Sequence, residues 1–265
     1  MRCELLLSDE AMADRGRKML EAMAAAAPAA GIDLVVSKKW SRAAPVLMTY
    51  GLGHPARREW TRKHVAAGGR LIGWDLGYWD RDTPLRFHMR LTLDAEHPHR
   101  WIQPEPAERF DASGIVLRED ADPSGPIVLC GLGAKQRKHK GYTGQAWELR
   151  TLARLRKRFG RGRIVYRPKR PEQGLPGCPV WNGQLEDVLR GAALLVCSHS
   201  NTAVDACIAG VPVECEDGAA LALYCGNPYP SREQRLEFLR SLAWWQWKPT
   251  EAAAAWAFIR QKLCA

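Results

Sequence analysis

"VCSHSNTAVDACIAGVPVECED", Val196 to Asp217, is the stretch on which the fold turns. With the "GAALL" before it, the stretch begins as a run of Leu, Val and Cys of the length of a buried strand. Ser-His-Ser-Asn-Thr follows, rich in side chains that favour a helix start. "AVDACIAG" is two helical turns of small residues closed by Gly210, with Pro212 just beyond as a stop. "VPVECE" reads as the next strand. The succession predicts strand, polar turn, helix, strand, with the helix N-terminus above the end of the first strand. The amides of a helix start and the positive end of its dipole suit a phosphate. Ser198, Ser200, Asn201 and Thr202 add hydroxyl and amide donors, with His199 among them. Simple capping of a structural helix is the plainer account of the same residues.

The segments upstream repeat the alternation. "PIVLCGLG" is a strand ending in glycines, and "TGQAWELRTLARLRKRF" is a helix with Leu149, Leu152 and Ala153 expected inward. "GRIVYRPK" is a strand with a basic end, and "LEDVLRGA" a short helix leading into the opening stretch. Ligands of open parallel sheets bind at the carboxyl ends of the strands. Those ends carry Gly131–Gly133 with Lys135, then Arg167–Lys169, then Ser198–Thr202, then Glu216 and Asp217. Three of the four suit phosphate, which favours binding over capping.

The N-terminal half has the same grammar. "CELLLS", "IDLVVS", "APVLMTYG" and "RLIGWD" read as strands. Asp9 to Ala29 reads as a helix with Met12, Met19, Leu20 and Met23 on one side, and "HPARREWTRKHVAAGG" as a second. Strands alternating with helices mean a parallel sheet covered on both faces. After Asp75 the pattern loosens into a long segment rich in Trp, His, Arg and Pro, with one short strand near "FHMRLTL". Long loops of this kind tend to carry function. "DADPSGP", Asp120 to Pro126, is the expected linker. Helices over Ser231–Leu242 and Glu251–Leu263 flank "WWQWKPT", and the tryptophans at 244, 245, 247 and 256 are expected to pin them.

Composition narrows the classes. The 265 residues are 46% hydrophobic and 26% charged, as in a folded protein, and no run reaches the roughly 18–20 apolar residues of a membrane span. The short apolar N-terminal stretch reads as the first strand of a cytoplasmic protein rather than a signal sequence. Eight cysteines, at 3, 130, 178, 197, 207, 215, 225 and 264, include no C-x-x-C pair, so reduced thiols and no metal site are expected. The net charge is +10, and Arg150 to Arg170 holds ten Lys or Arg and no Asp or Glu. Such a run repels itself and calls for an anionic partner, nucleotide phosphate or nucleic acid.

The order strand-Gly, basic strand end "RPK", then "LEDVLRGAALLVCSHSNTAVDACIAGVPV" resembles the donor half of GT-B-type glycosyltransferases. The upstream "GWDLGYWDRDTPLRFHMRLTLD" is similar to a stretch of small bacteriophage-encoded proteins of that type, some of which glycosylate hydroxymethylated pyrimidines in DNA. The resemblance implies an α/β fold of two Rossmann-like parallel-sheet domains facing each other, in a compact version. The acceptor domain would be residues 1–120 and the nucleotide-sugar domain 126–250, with 251–265 as a helix packing back on the first. It implies transfer from a nucleotide-sugar, UDP-sugar above all, to a hydroxyl acceptor without a bound metal. Double-stranded DNA is the expected partner of a monomer in the cytoplasm, the host's if the gene is a phage's. A surface glycan or lipid acceptor, a non-catalytic basic nucleic-acid-binding protein and a sugar-nucleotide epimerase are the alternatives.

The residues then take roles. Gly133, Lys135, Arg167, Lys169, Ser198, His199, Ser200, Asn201 and Thr202 would hold the donor phosphates, since a phosphate leaving group needs its charge neutralised. Inverting transfer needs a base, for which Asp75, Asp80 and His88 are the candidates. Tyr78, Trp79, Arg81, Arg86, Arg90, Arg137, Lys138 and Lys140 interleave aromatic and basic side chains that would receive DNA and a base taken out of its stack.

Overall fold

The structure, a computed structural model, describes residues 1–8, 12–81, 87–170 and 174–264. The first part of the chain runs β1 (Arg2–Leu6), α1 (Asp14–Ala26), β2 (Asp33–Ser37), β3 (Val46–Tyr50), α2 (Pro55–Ala66), β4 (Arg70–Leu76) and β5 (Met89–Leu93). It continues with α3 (Glu108–Asp111), β6 (Ile127–Cys130), α4 (Ala134–His139), α5 (Ala146–Phe159), β7 (Ile164–Arg167), α6 (Leu185–Leu189) and β8 (Leu194–Cys197). It closes with α7 (Thr202–Ala209), β9 (Val213–Cys215), α8 (Leu221–Tyr224), α9 (Arg232–Ala243), β10 (Gln246–Trp247) and α10 (Ala252–Cys264). Two compact units result, Met1–Trp101 with Leu242–Ala265, and Ile102–Ser241.

The first unit is a six-stranded sheet in the order β10-β5-β4-β3-β1-β2. Strands β1 to β4 are parallel, while β5 runs antiparallel to β4 and β10 antiparallel to β5. All five residues of β3 are buried, the mark of a strand covered on both faces. On one face α1 presents Gly16, Met19, Leu20 and Met23, a stripe at three- and four-residue spacing. On the other, Leu6, Leu47 and Leu71 pack with Trp40, Leu52 and Trp60. The C-terminal tryptophans anchor the returning chain: Trp245, Trp247 and Trp256 are fully buried, and Trp256 Nε1 donates to the Met23 carbonyl at 2.8 Å.

The second unit is an all-parallel four-stranded sheet, β7-β6-β8-β9. Its core gathers Ile127, Leu129, Ile164, Tyr166, Leu194 and Val196 from the strands against Trp147, Leu152 and Leu155 of α5. Gly210 ends α7 in the left-handed region (φ 78), as the opening stretch requires, and Val211 N returns to the Ala206 carbonyl at 2.9 Å.

Three expectations change. The inward face of α5 is Trp147, Glu148, Thr151, Leu152 and Leu155, whereas Leu149 and Ala153 are exposed. A residue advances about 100° round a helix, so once Trp147 and Glu148 turn inward Leu149 must turn out. The supposed linker is anchored to the second unit: Arg118 and Asp120 amides bond the Ile208 and Ala209 carbonyls, both at 2.8 Å, and Asp122 N bonds the Ala192 carbonyl. Asp, Ser, Gly and Pro build tight turns as readily as linkers. Five of the ten cations of the basic run have partners within the protein. Arg154 and Arg158 pair with Glu214, Arg163 donates to the Gly125 carbonyl at 2.8 Å, Arg156 to that of Gly177, and Arg150 lies 5.5 Å over the Tyr142 ring. Most of these partners come from distant segments, so these five arginines look unpaired only in one dimension.

Candidate functional site

The carboxyl edge of the four-stranded sheet gathers most of the expected anion-binding residues. Arg167 ends β7 in register with Cys130 at the end of β6, and the Gly131 amide bonds the Arg167 carbonyl at 2.9 Å. Thr202, first residue of α7, points its hydroxyl at the Cys130 sulfur, 3.9 Å away. Burial pushes the Cys130 thiol up, while the neighbouring Thr202 hydroxyl and the Arg167 and Lys169 charges pull the other way. A Cβ on Gly133 would lie 3.7 Å from Lys169 Cγ. Gly133, Arg167, Lys169 and Thr202 are therefore neighbours around Cys130. Lys135 is exposed on the first turn of α4.

The start of α7 differs from the simple picture of open amides. Ser200 Oγ accepts the Thr202 amide at 3.2 Å, the Ser200 carbonyl accepts Ala203 N and the Asn201 carbonyl accepts Val204 N. Asn201 makes no side-chain cap bond. The first turn thus satisfies itself, and its contribution to an anion is its dipole and the Thr202 hydroxyl rather than those three amides. Ser198 is buried and donates to Glu216 Oε2 at 3.2 Å, so it orients Glu216 instead of reaching a ligand. The His199 backbone packs on Gly218, whose added Cβ would lie 3.3 Å from the His199 carbonyl oxygen.

Beneath this edge lie two residues that the sequence reading passed over, Glu148 and Trp147. Glu148 is fully buried, and its Oε1 accepts the Leu132 amide at 3.0 Å, Arg137 Nε at 3.2 Å and Arg137 Nη2. The glycine loop has no slack there, since a Cβ on Gly131 would come within 2.3 Å of the Tyr166 hydroxyl. Trp147, also buried, donates Nε1 to Glu216 Oε2 at 2.8 Å. The sequence held one signal: a glutamate beside Trp147 on the inward face of an amphipathic helix is a buried charge that demands a partner.

In the first unit the base candidates lie at one end of the sheet. Asp75 sits on β4 directly opposite Arg90 of β5; its Oδ2 is 3.2 Å from Arg90 Nη2 and its Oδ1 accepts the Leu76 amide at 2.8 Å. Asp80, in the left-handed region at φ 53, places Oδ2 3.4 Å from His88 Nδ1. The Asp75 and Asp80 side chains are 40% and 49% exposed, open to a substrate, while His88 is nearly enclosed. Gln246 of β10 pairs with Arg90 in register, and its Oε1 accepts the Tyr78 amide at 2.8 Å.

The expected nucleic-acid face does not assemble. Tyr78 is fully buried with its phenol pushed up by burial, and Trp79 is buried beside it. Neither ring can stack on a base. Arg90 and Arg137 are buried in ion pairs with Asp75 and Glu148, and Lys140 lies 3.5 Å from Asp217. Arg15 donates to the Arg81 carbonyl. Only Lys138 of the set is plainly exposed, and Arg86 lies outside the described residues. The alternation of aromatic and basic residues was a core pattern, because cations here pack over or pair beneath the rings; Arg90 lies 5.9 Å over Tyr78.

All eight cysteines are free thiols. Among the described residues no cluster of three or more His, Cys, Asp or Glu is placed to hold a metal ion, and no helix is long and apolar enough to cross a membrane.

No protein-family model matches the chain, and no curated protein matches its sequence. Solved structures do. Thermosulfurimonas dismutans KpsC, beta Kdo 2,4 transferase, matches with a TM-score of 0.59 at 12% identity, over 98% of this chain and 97% of that one. Thermosulfurimonas dismutans KpsC, beta Kdo 2,7 transferase, matches with a TM-score of 0.54 at 16% identity, over 98% and 99%. The chain therefore has the fold of GT-B-type glycosyltransferases, an α/β protein of two parallel-sheet domains.

Proposed function

We propose that the protein is a glycosyltransferase that moves a sugar from a nucleotide-sugar donor to a hydroxyl of a glycan acceptor. The observation that carries this reading is the convergence of Gly133, Arg167, Lys169 and Thr202 at the carboxyl edge of the four-stranded sheet. On such a sheet that edge is where a nucleotide binds. Arg167 and Lys169 would neutralise the charge that grows on the leaving phosphate as the glycosidic bond breaks, helped by the positive end of the α7 dipole. Lys135 would reach the same charge from α4.

The acceptor hydroxyl must lose its proton as the new bond forms. Asp75, or His88 beside Asp80, would take it; Asp80 Oδ2 lies 3.4 Å from His88 Nδ1, and a proton kept on Nδ1 by that charge would leave Nε2 as the accepting atom. A glycan acceptor is favoured over a base in DNA for two reasons. Tyr78, Trp79, Arg90, Arg137 and Lys140, expected to receive DNA, are buried or paired, and the similar solved structures are described as Kdo transferases.

The test has two stages. Thermal stabilisation is measured with UDP, GDP, CDP, TDP and the corresponding monophosphates, because a ligand that binds only the folded state raises Tm by linkage. Transfer is then assayed from the matching nucleotide-sugars, nucleotide-activated Kdo among them, to glycan acceptors and to hydroxymethylated duplex DNA. A shift with one nucleotide, transfer to glycan, and its loss in Asp75→Asn or His88→Ala are the expected results. Transfer to the DNA alone would restore the nucleic-acid acceptor, and no shift with any nucleotide would end the transferase reading.

A further inference from the structure

We infer that the first turn of α5, Gln145 to Glu148, is the positioning element of the donor site. It ties together the loops that follow the strands and sets their spacing before any ligand arrives. The inference rests on the donor-site reading above and adds to it residues that need touch no ligand.

Three neighbouring side chains reach three different loops. Glu148 accepts the Leu132 amide of the glycine loop after β6 at 3.0 Å. Gln145 donates Nε2 to the Gly174 carbonyl in the loop after β7 at 2.8 Å. Trp147 donates to Glu216 at the end of β9 at 2.8 Å, and the same Glu216 oxygen receives Ser198 from the end of β8. All four strand ends are thus joined, directly or through Glu216, to one turn of a fourteen-residue helix. Burial makes the arrangement rigid: Glu148 and Trp147 are 0% and 1% exposed, so neither has water as an alternative partner. Glu216 itself is exposed, and its Oε2 accepts both the Trp147 and the Ser198 donor.

Such a bracket acts on affinity. If loops must be ordered on binding, the ligand is charged for that ordering; a turn that orders them beforehand removes the cost. A purely structural role would lower the folded fraction without changing the affinity of the molecules that remain folded.

The experiment is titration calorimetry of the full chain with whichever of UDP, GDP, CDP, TDP or the corresponding monophosphates stabilises it. Wild type is compared with Trp147→Phe, which removes only the indole N–H bond and some volume, and with Gln145→Ala, which removes one bond at the surface. Trp147→Phe is repeated in a Glu216→Gln background. The expected result is a Kd raised about tenfold by Trp147→Phe and about threefold by Gln145→Ala, each the loss of roughly one hydrogen bond, with stoichiometry unchanged. In the Glu216→Gln background the Trp147→Phe effect should shrink to under threefold, since its route runs through that carboxylate. A Kd within twofold of wild type in both variants, or a fall in stoichiometry alone, overturns the inference. If Trp147→Phe does not fold, Gln145→Ala decides by the same criterion. Absence of nucleotide binding in wild type overturns the donor-site reading and this inference with it, whereas wild-type binding with unaffected variants overturns this inference alone.

Discussion

Replacing Glu148 by glutamine should cost the protein about 3 kcal/mol, and by alanine nearer 5 kcal/mol, because breaking one side of a buried ion pair leaves the other charge uncompensated. The two figures separate because the two variants lose different things. Glu148 Oε1 receives Arg137 twice and the Leu132 amide once, with Glu148 0% and Arg137 11% exposed in their side chains. Glutamine retains a carbonyl that can accept Leu132 N and loses only the charge. Alanine also orphans that buried amide, worth a further 1–3 kcal/mol or so. Replacing Arg137 by methionine in the Glu148→Gln protein removes the stranded cation, so stability should recover to within about 1–1.5 kcal/mol of wild type. The pair would then show a coupling energy of about 1.5–2 kcal/mol or more. Urea denaturation of wild type, the two Glu148 variants, Arg137→Met and the double variant measures all of this, with an unchanged m-value as the check that the free energies are comparable. A loss below about 1 kcal/mol in Glu148→Gln, or a double variant as unstable as the single one, would refute the argument that this carboxylate anchors the glycine loop by charge and geometry together.

Three further outcomes follow from other contacts. Glu4 is buried and accepts Ser41 N and Oγ at 2.8 Å and Ala43 N at 2.9 Å. Burial pushes its carboxyl up, but these bonds outweigh that and hold it below the ordinary value of 4.5; its contribution is therefore full above the unfolded value and lost as pH falls through the lower folded one. Urea midpoints measured from pH 7 down to pH 3 should fall more steeply in wild type than in Glu4→Gln, and parallel curves would contradict this. Gly16→Ala should destabilise by about 1–3 kcal/mol despite alanine's helix advantage of roughly 1 kcal/mol, because the added Cβ would come within 2.4 Å of the Tyr50 ring; equal or greater thermal stability would disprove the close packing. In a timed reaction with a thiol-specific disulfide reagent, Cys225 and Cys264 should react fast and the other six slowly until denaturant is added. Burial pushes the half-exposed Cys215 thiol up to about 12, so even that one lacks thiolate at neutral pH. More than two fast thiols in the native protein would count against the packing at the strand ends.

Much of the architecture was readable from local pattern. Apolar runs of strand length alternating with amphipathic helices specify parallel α/β units whatever the partners are, and Gly210 followed by Pro212 ends α7 by backbone geometry alone. Gly133, Arg167, Lys169 and Thr202 were legible for the same reason. Once the strands are known, parallel topology places all their carboxyl ends on one edge. Register, helix facing and charge pairing were beyond such reasoning. Leu149 turns outward because Trp147 and Glu148 have partners at Glu216 and Leu132, 69 and 16 residues away. Tyr78 and Trp79 resemble a stacking surface until β10, supplied by the far end of the chain, adds Gln246 beside Arg90 and the rings are enclosed. Arg154, Arg156, Arg158 and Arg163 look like part of an anion-binding run until Glu214 and the backbone carbonyls of Gly125 and Gly177 arrive, while Arg167 and Lys169 stay at the strand edge. Backbone preference and side-chain periodicity act over a few residues and are written in the sequence itself. Burial of a charge or a ring depends on what meets it across the sheet, and that is decided only when the distant segments fold together.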